Sequence, residues 1–110
     1  MRAPISVIIP TLNAEEGLRL CLPSLDEGIE AGLISEIIVC DAGSADDTGT
    51  IAKAEGALIV TSEKGRGIQL RTGAQTASGE WLLFLHADSC LEADWSKLLN
   101  EYVQGPGKPT

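Results

Sequence analysis

The sequence predicts an α/β fold, Rossmann-like, with a mostly parallel sheet covered by helices on both faces. Short β-branched or apolar runs alternate with segments of helical periodicity, in the order β-α-β-α-β-α-β-α. The runs are nearly continuous in apolar character, as strands buried on both faces require. Thr11, Asp41, Thr61 and Asp88 each fall just beyond a run. In a parallel sheet, with its crossovers expected to be right-handed, all of these share the carboxyl edge, where such folds bind ligands.

Ile5 to Ile9 reads as the first strand, ended by Pro10. Asn13 with Glu16 three residues on reads as a capping box, and Leu18, Cys21, Leu22 and Leu25 give the following helix one apolar face. Pro23 should interrupt that helix. Ile37 to Cys40 is the second strand, followed by a tight turn at Ala42, Gly43 and Ser44. Ser44 and Asp47 form a second capping signature, opening a helix that should stop at Gly56. Ala57 to Val60 is the third strand, and Lys64 to Gly67 is a basic glycine-rich loop. Leu70, Ala74 and Ala77 mark a third helix stopping near Gly79, and Trp81 to Leu85 is the fourth strand. Trp95, Leu98, Leu99 and Tyr102 recur at helical spacing, so a last helix is expected to about Val103. Residues 1–104 are expected to form one domain, and 105–110 a glycine- and proline-rich loose tail.

A chain of 110 residues with 44% hydrophobic content can build one core. Its net charge of −8 disfavours nucleic acid as a partner, although local cations or a metal can still admit a phosphorylated ligand. No run approaches the roughly 18 apolar residues of a membrane span. The first eleven residues lack signal-peptide architecture. Three cysteines, Cys21, Cys40 and Cys90, include no CxxC pair. An odd count argues against a disulfide framework or a zinc site and for a reducing, cytoplasmic location. Cys40, inside an apolar run, is expected to be a small core residue.

Several motifs fail. Gly65-Arg66-Gly67 begins like a dinucleotide fingerprint, but Leu70 occupies the third glycine's place. There is no GxxxxGK[ST] and no GxSxG elbow, and His86 is the only histidine, with no triad around it. A set of acids and cations on one rim remains. Asp88 could hold a hard divalent cation, Mg²⁺ or Mn²⁺, since such ions use one or two carboxylates plus substrate phosphates. It could equally cap a turn. Asp41 could accept hydrogen bonds from a base or ribose, or simply form the turn ahead of Gly43. Lys64, Arg66 and Arg71 could neutralise phosphates, or be ordinary surface charge. Glu15 and Glu16 suit a helix start.

The runs SVIIPTLNAEEGL, IIVCDAGSADDT and KGRGIQLRTGAQTASGEWLLFLHADS, in that order, resemble the N-terminal half of family-2 glycosyltransferases with the GT-A fold. The similarity spans Ser6 to Ser89 and is greatest to a bacterial subgroup whose metal motif reads His-Ala-Asp. It implies that Pro10, Thr11, Asn13 and Glu15 lie in a loop beside the nucleotide. It implies that Asp41 contacts the base, with Gly43 and Ser44 in the turn after it. Arg66, Gln69 and Arg71 would lie near base and phosphates. Asp88 would be the metal-binding last acid of a DxD motif whose first acid is replaced by His86, a second candidate ligand.

The resemblance further implies inverting, metal-assisted transfer from a nucleotide-diphosphate sugar, with UDP-sugar the expected donor. The family's acceptor site and base lie further along, so no base is assigned and the chain is expected to be a donor-binding half. A non-catalytic nucleotide-binding module or inactive fragment is the alternative. A nucleotidyltransferase is disfavoured, because Thr11-Leu12-Asn13-Ala14 stands where a glycine-rich basic loop would be needed. Exposed apolar surface around the fourth strand predicts a weak homodimer.

Overall fold

The computed structural model describes residues 4–88, 90–91 and 95–97. Among them the chain runs β1 (Ile5–Thr11), α1 (Glu15–Cys21), a 3₁₀ turn (Leu22–Leu25), α2 (Asp26–Glu30), β2 (Ile34–Asp41), α3 (Thr48–Ala54), β3 (Leu58–Thr61), α4 (Arg66–Thr76) and β4 (Trp81–Phe84). The four strands form one sheet in the order β3-β2-β1-β4. Every pairing is parallel, as the apolar runs predict. The strand order reverses at β1, which has β2 on one side and β4 on the other. The carboxyl ends of β1 and β4 therefore flank the crevice where α/β sheets take ligands.

The two faces are unequal. One carries the larger core, in which Val7, Ile9, Ile37 and Val39 meet Leu18, Leu22 and Leu25. On the other, Ile8, Ile38 and Cys40 pack against Leu70, Ala74 and Ala77. Cys40 is fully buried and unpaired, as expected of a core residue, and burial pushes its thiol pKa up. Helix α4 can lie close on this face because Gly73 has no side chain. A Cβ there would stand 2.5 Å from Ile8 Cγ2 and 2.7 Å from Cys40 Sγ. Among the described residues β4 is an edge strand, and its Leu82 and Phe84 are 40% and 47% exposed.

Several expectations from the sequence need correction. Asn13 does not cap α1; the cap position is Ala14, which makes no side-chain bond. Asn13 sits at φ +51°, and its Oδ1 accepts the Ala45 N–H instead. Nor do Ser44 and Asp47 form a capping box for α3. Asp46 Oδ1 takes the Thr48 N–H at 3.0 Å and also the Thr48 hydroxyl, while Ser44 bonds to Asp41. Asn13 thus takes its donor from the neighbouring loop, while Asp46 and Ser44 bond within two or three residues of their own positions. Strand β2 begins at Ile34, three residues earlier than its apolar run suggested, because β1 supplies partners from Ile5 onward.

Other expectations stand. Pro23 falls in the 3₁₀ turn that separates α1 from α2. Gly56 ends the α3 segment at φ +83°, its N–H bonding Lys53 O. Of the last helix, 95–97 is helical, with Trp95 Nε1 donating to Ser24 O at 2.8 Å. Leu98, Leu99, Tyr102 and the 105–110 tail lie outside the described residues.

The largest departure concerns the cysteines. Cys21 and Cys90 form a disulfide across 69 residues of sequence. The odd count is resolved by leaving Cys40 alone in the core. Parity of count says nothing about which side chains the fold brings together.

Two glycines of α4 give a paired test of this packing. Gly73→Ala is expected to cost about 1–3 kcal/mol by overpacking against Ile8 and Cys40. Gly67, with nothing within 4 Å of its missing Cβ, should instead gain about 0.5 kcal/mol as alanine by restricting the unfolded chain. Urea unfolding of both variants reads the opposite signs directly.

Candidate functional site

A cavity of about 260 Å³ opens at the carboxyl edge between β1 and β4. Its walls are Pro10 to Ala14 from the loop after β1, Arg66 and Gln69 from α4, and His86 to Asp88 from the loop after β4. A smaller annex of about 130 Å³ shares Pro10, Arg66 and His86 and is walled by Leu70, Phe84 and Leu85. Polar atoms thus line the main cavity, and apolar side chains line its annex.

Seven expected site residues converge here: Pro10, Thr11, Asn13, Arg66, Gln69, His86 and Asp88. Arg71 does not. It is exposed on α4, five positions from Arg66, and a helix turning 100° per residue points the two to different sides. Glu15, Asp41, Gly43 and Ser44 form the adjoining rim rather than the wall. Leu12, Ala14 and Ala87 line the cavity without having been singled out in the sequence. Their backbone position alone puts them there, and only their place beside Thr11 and Asp88 could have signalled it.

Asp41 is fully engaged. Its Oδ1 accepts the Thr11 hydroxyl at 2.7 Å and the Ser44 hydroxyl, while Oδ2 accepts the Gly43 and Ser44 amides at 3.1 and 2.8 Å. Gly43 follows at φ +94°, a conformation that glycine adopts without strain. Partial burial acts to raise the Asp41 pKa, but the bonds from Ser44, Thr11 and Gly43 outweigh it and hold the carboxyl below the ordinary carboxylate range.

The β1–α1 and β2–α3 loops are laced together. The Asn13 amide donates to Ser44 Oγ at 2.8 Å, and the Ala14 amide to the buried Thr48 hydroxyl at 2.9 Å. The Glu15 amide donates to Asp46 Oδ2 at 3.2 Å. Hydrogen bonds from Thr48 hold the exposed Asp46 carboxyl below its usual pKa. Glu15 turns its own carboxylate to Arg19 at 3.2 Å.

Gln69 is buried, and its side chain is spoken for. Nε2 donates to Thr11 O at 3.0 Å and to Cys40 O at 2.9 Å, and Oε1 accepts the Gly65 amide. It ties the ends of β1 and β2 to the start of α4. Arg66, one turn earlier and exposed, is the cation left facing both cavities.

On the β4 side, His86 Nδ1 accepts the Asp88 amide at 3.2 Å. The Asp88 carboxylate is 74% exposed, with Oδ2 3.7 Å from His86 Nδ1. Among the described residues no cluster of three metal-ligating side chains exists. The donor set is one carboxylate and one imidazole beside a polar cavity. That suits a hard divalent cation whose remaining ligands are water and substrate phosphates.

The sequence pattern described as "Glycosyl transferase family 2" matches residues 6–108. Glucosyl-3-phosphoglycerate synthase of Mycobacterium tuberculosis is 34% identical over 93 residues, which is 76% of this chain and 28% of that protein. A PGL/p-HBAD biosynthesis glycosyltransferase of Mycobacterium bovis is 38% identical over 103 residues, 86% of this chain and 40% of that one. The solved structure of the M. tuberculosis synthase with Mn²⁺, UDP and glucosyl-3-phosphoglycerate superposes with a TM-score of 0.73. It is 27% identical, covering 93% of this chain and 39% of the other. The chain thus spans well under half the length of these relatives.

The Asp41 network makes a pH prediction. A carboxyl whose folded pKa is depressed adds stability that is present above its unfolded pKa, near 3.9, and is lost as pH falls through the lower folded value. Asp41→Asn should therefore destabilise the protein at pH 7 and flatten the stability loss below about pH 4. Urea midpoints measured from pH 7 down to 3 would show the two curves converging toward acid.

Proposed function

Since the chain belongs to glycosyltransferase family 2, we propose that its cavity binds the nucleotide diphosphate of a sugar donor, with UDP-sugar the expected donor, for inverting transfer of the sugar to an acceptor hydroxyl. The observation that carries this reading is the convergence of Arg66 and Asp88 on one cavity at the β1–β4 switch point. A Mn²⁺ or Mg²⁺ ion held by Asp88, with His86 beside it, would offset the charge that develops on the departing diphosphate.

The chain's own residues supply the rest. Arg66 can pair with a phosphate oxygen, bidentately where the approach allows. The Pro10 to Ala14 backbone, braced by Ser44 and Thr48, forms a rigid wall for the nucleoside. Asp41 reaches a base only by yielding one of its internal bonds, and the Ser44 hydroxyl is the partner freest to rotate away. Gln69 acts by shaping the wall, because both its N–H donors are committed to backbone carbonyls. The described residues include no assigned base for the acceptor hydroxyl. Inversion and the acceptor therefore belong to the proposal through the family alone.

A cytoplasmic setting is part of the same reading. The cysteine count no longer supports it, but a reducing compartment accommodates disulfides that are transient and redox-responsive. No described helix is long and apolar enough to cross a membrane. Weak self-association through the open β4 edge also belongs here, supported by exposed Leu82 and Phe84.

Calorimetry with UDP tests the site. Mn²⁺ is expected to strengthen UDP binding, Asp88→Ala to abolish that enhancement, and Arg66→Ala to weaken binding with or without metal. Equal UDP affinity in the presence and absence of Mn²⁺ would sink the metal role. UDP binding no tighter than uridine would sink the diphosphate site.

A further inference from the structure

The loop carrying Asp88 rests on helix α1, and two residues one turn apart on that helix make the seat. Gly17 lies under the carboxylate: a Cβ at Gly17 would stand 2.2 Å from Asp88 Oδ1 and 3.0 Å from the Ala87 carbonyl oxygen. No residue with a side chain permits this approach without the Asp88 carboxylate moving. Four positions on, Cys21 is bonded to Cys90, two residues past Asp88. The Cys21 sulfur also lies 3.5 Å from the Asp88 carbonyl oxygen. Beyond the disulfide, the Leu91 amide donates to Ser24 Oγ at 3.2 Å, so the same strip of chain continues along the 3₁₀ turn.

The seat holds a group that has little else to hold it. Asp88 is mostly exposed, and among the described residues the side chain facing its carboxylate is that of His86, itself half-exposed. Its neighbour Ala87 is buried in the main core, which fixes the backbone on one side. On the other side the covalent link to α1 does so. Without that link, hydrogen bonds such as that from the Leu91 amide to Ser24 would be left to hold the chain past the carboxylate.

We propose that Gly17 and the Cys21–Cys90 disulfide are positioning elements for Asp88, and that the disulfide makes the metal-dependent part of nucleotide binding responsive to thiol reduction. The proposal rests on Asp88 being the metal-holding residue of the nucleotide site. Cys21 is buried but Cys90 is exposed, so one sulfur is open to attack. A dithiol reductant would attack that sulfur, forming a mixed disulfide and releasing the Cys21 thiol. Its second thiol then resolves the intermediate. The products are the Cys21 and Cys90 thiols and the reductant's own disulfide, two electrons and two protons having passed to the protein. Residues that orient a metal ligand from behind typically govern metal affinity about 10- to 100-fold.

The test compares four samples of the full chain: untreated, reduced and desalted under inert gas, Cys90→Ser, and Gly17→Ala. Thiol titration under denaturing conditions comes first, and one free thiol is expected in the untreated protein. UDP affinity is then measured with and without Mn²⁺, and bound Mn²⁺ is followed by electron paramagnetic resonance. Reduction and Cys90→Ser should leave metal-free UDP affinity within about twofold while lowering the Mn²⁺ affinity of the UDP complex about tenfold or more. Gly17→Ala should do the same with its disulfide intact, a result that loss of the cross-link's general stability cannot produce. Three free thiols in the untreated protein would overturn the proposal. So would equal Mn²⁺ affinity in untreated and reduced samples. Absence of UDP binding in the untreated protein would instead overturn the nucleotide-site reading, and the clamp with it.

Discussion

Thr11 and Asp41 face each other across the parallel register of β1 and β2, and the Thr11 hydroxyl donates to the Asp41 carboxylate. This pair closes the carboxyl edge of the sheet. Thr11 is buried and Asp41 only partly so, and a buried hydroxyl without a partner would be costly. The carboxylate then has capacity for the amides of Gly43 and Ser44, which bends the chain out of β2. Ser44 is thereby set under the Asn13 amide. One strand-end contact thus fixes two loops, and the cavity wall from Pro10 to Ala14 depends on both.

A second lock works from below. The carbonyl oxygens of Thr11 and Cys40 emerge where the ladder ends; that of Thr11 already accepts the Ala42 amide at 3.0 Å and has a second lone pair to offer. Gln69 supplies its two amide hydrogens to them and its oxygen to Gly65. A glutamine suits this place because it combines two donors with one acceptor in a neutral group that can be buried. Glutamate in its place would set a carboxylate against two carbonyl oxygens. Gly73 lets α4 approach closely enough for Gln69 to reach, and Arg66 is carried to the mouth of the cavity on the same helix. The polar site is therefore held by the internally bonded Asp41 carboxylate and the buried Gln69 amide, while the charged groups that line the cavity, Arg66 and Asp88, face a ligand.

The layout of strands was legible because period and composition were unambiguous: Ile5 to Ile9 and Ile37 to Cys40 have no other reading as buried segments. Their parallel pairing followed from alternation with helices, and the edge location of Thr11, Asp41 and Asp88 followed from the pairing. What the sequence hid were contacts between distant residues. Asn13 and Ser44 each carry a local capping pattern, yet each bonds across some thirty positions to the other loop. Thr48 gave no signal, although its hydroxyl braces Ala14. Arg71 looked equivalent to Arg66 until helical rotation separated them. The cysteines misled for the same reason: Cys21 and Cys90 meet only because β4 returns beside β1 and delivers its loop onto α1.

The electrostatics of this surface bear on how an anion could occupy it. The chain carries a net charge of −8, and the cavity edge adds Asp88, with Asp41, Asp46 and Glu15 on the rim. Arg66 alone lines both cavities as a cation. Two unit charges 4 Å apart interact by about 4 kcal/mol at the effective dielectric of a protein surface. Asp88 and a diphosphate would therefore repel unless a cation lay between them. On the proposed reading the same carboxylate that opposes the bare anion becomes favourable once a divalent ion bridges the two. Placement of that carboxylate then matters more than its presence, since Mg²⁺ demands near-ideal octahedral geometry. A flexible acid on a free loop would hold such an ion poorly. An acid seated against Gly17 and fastened at Cys90 keeps one orientation, and the fold places a covalent bond beside the one carboxylate that lines the cavity.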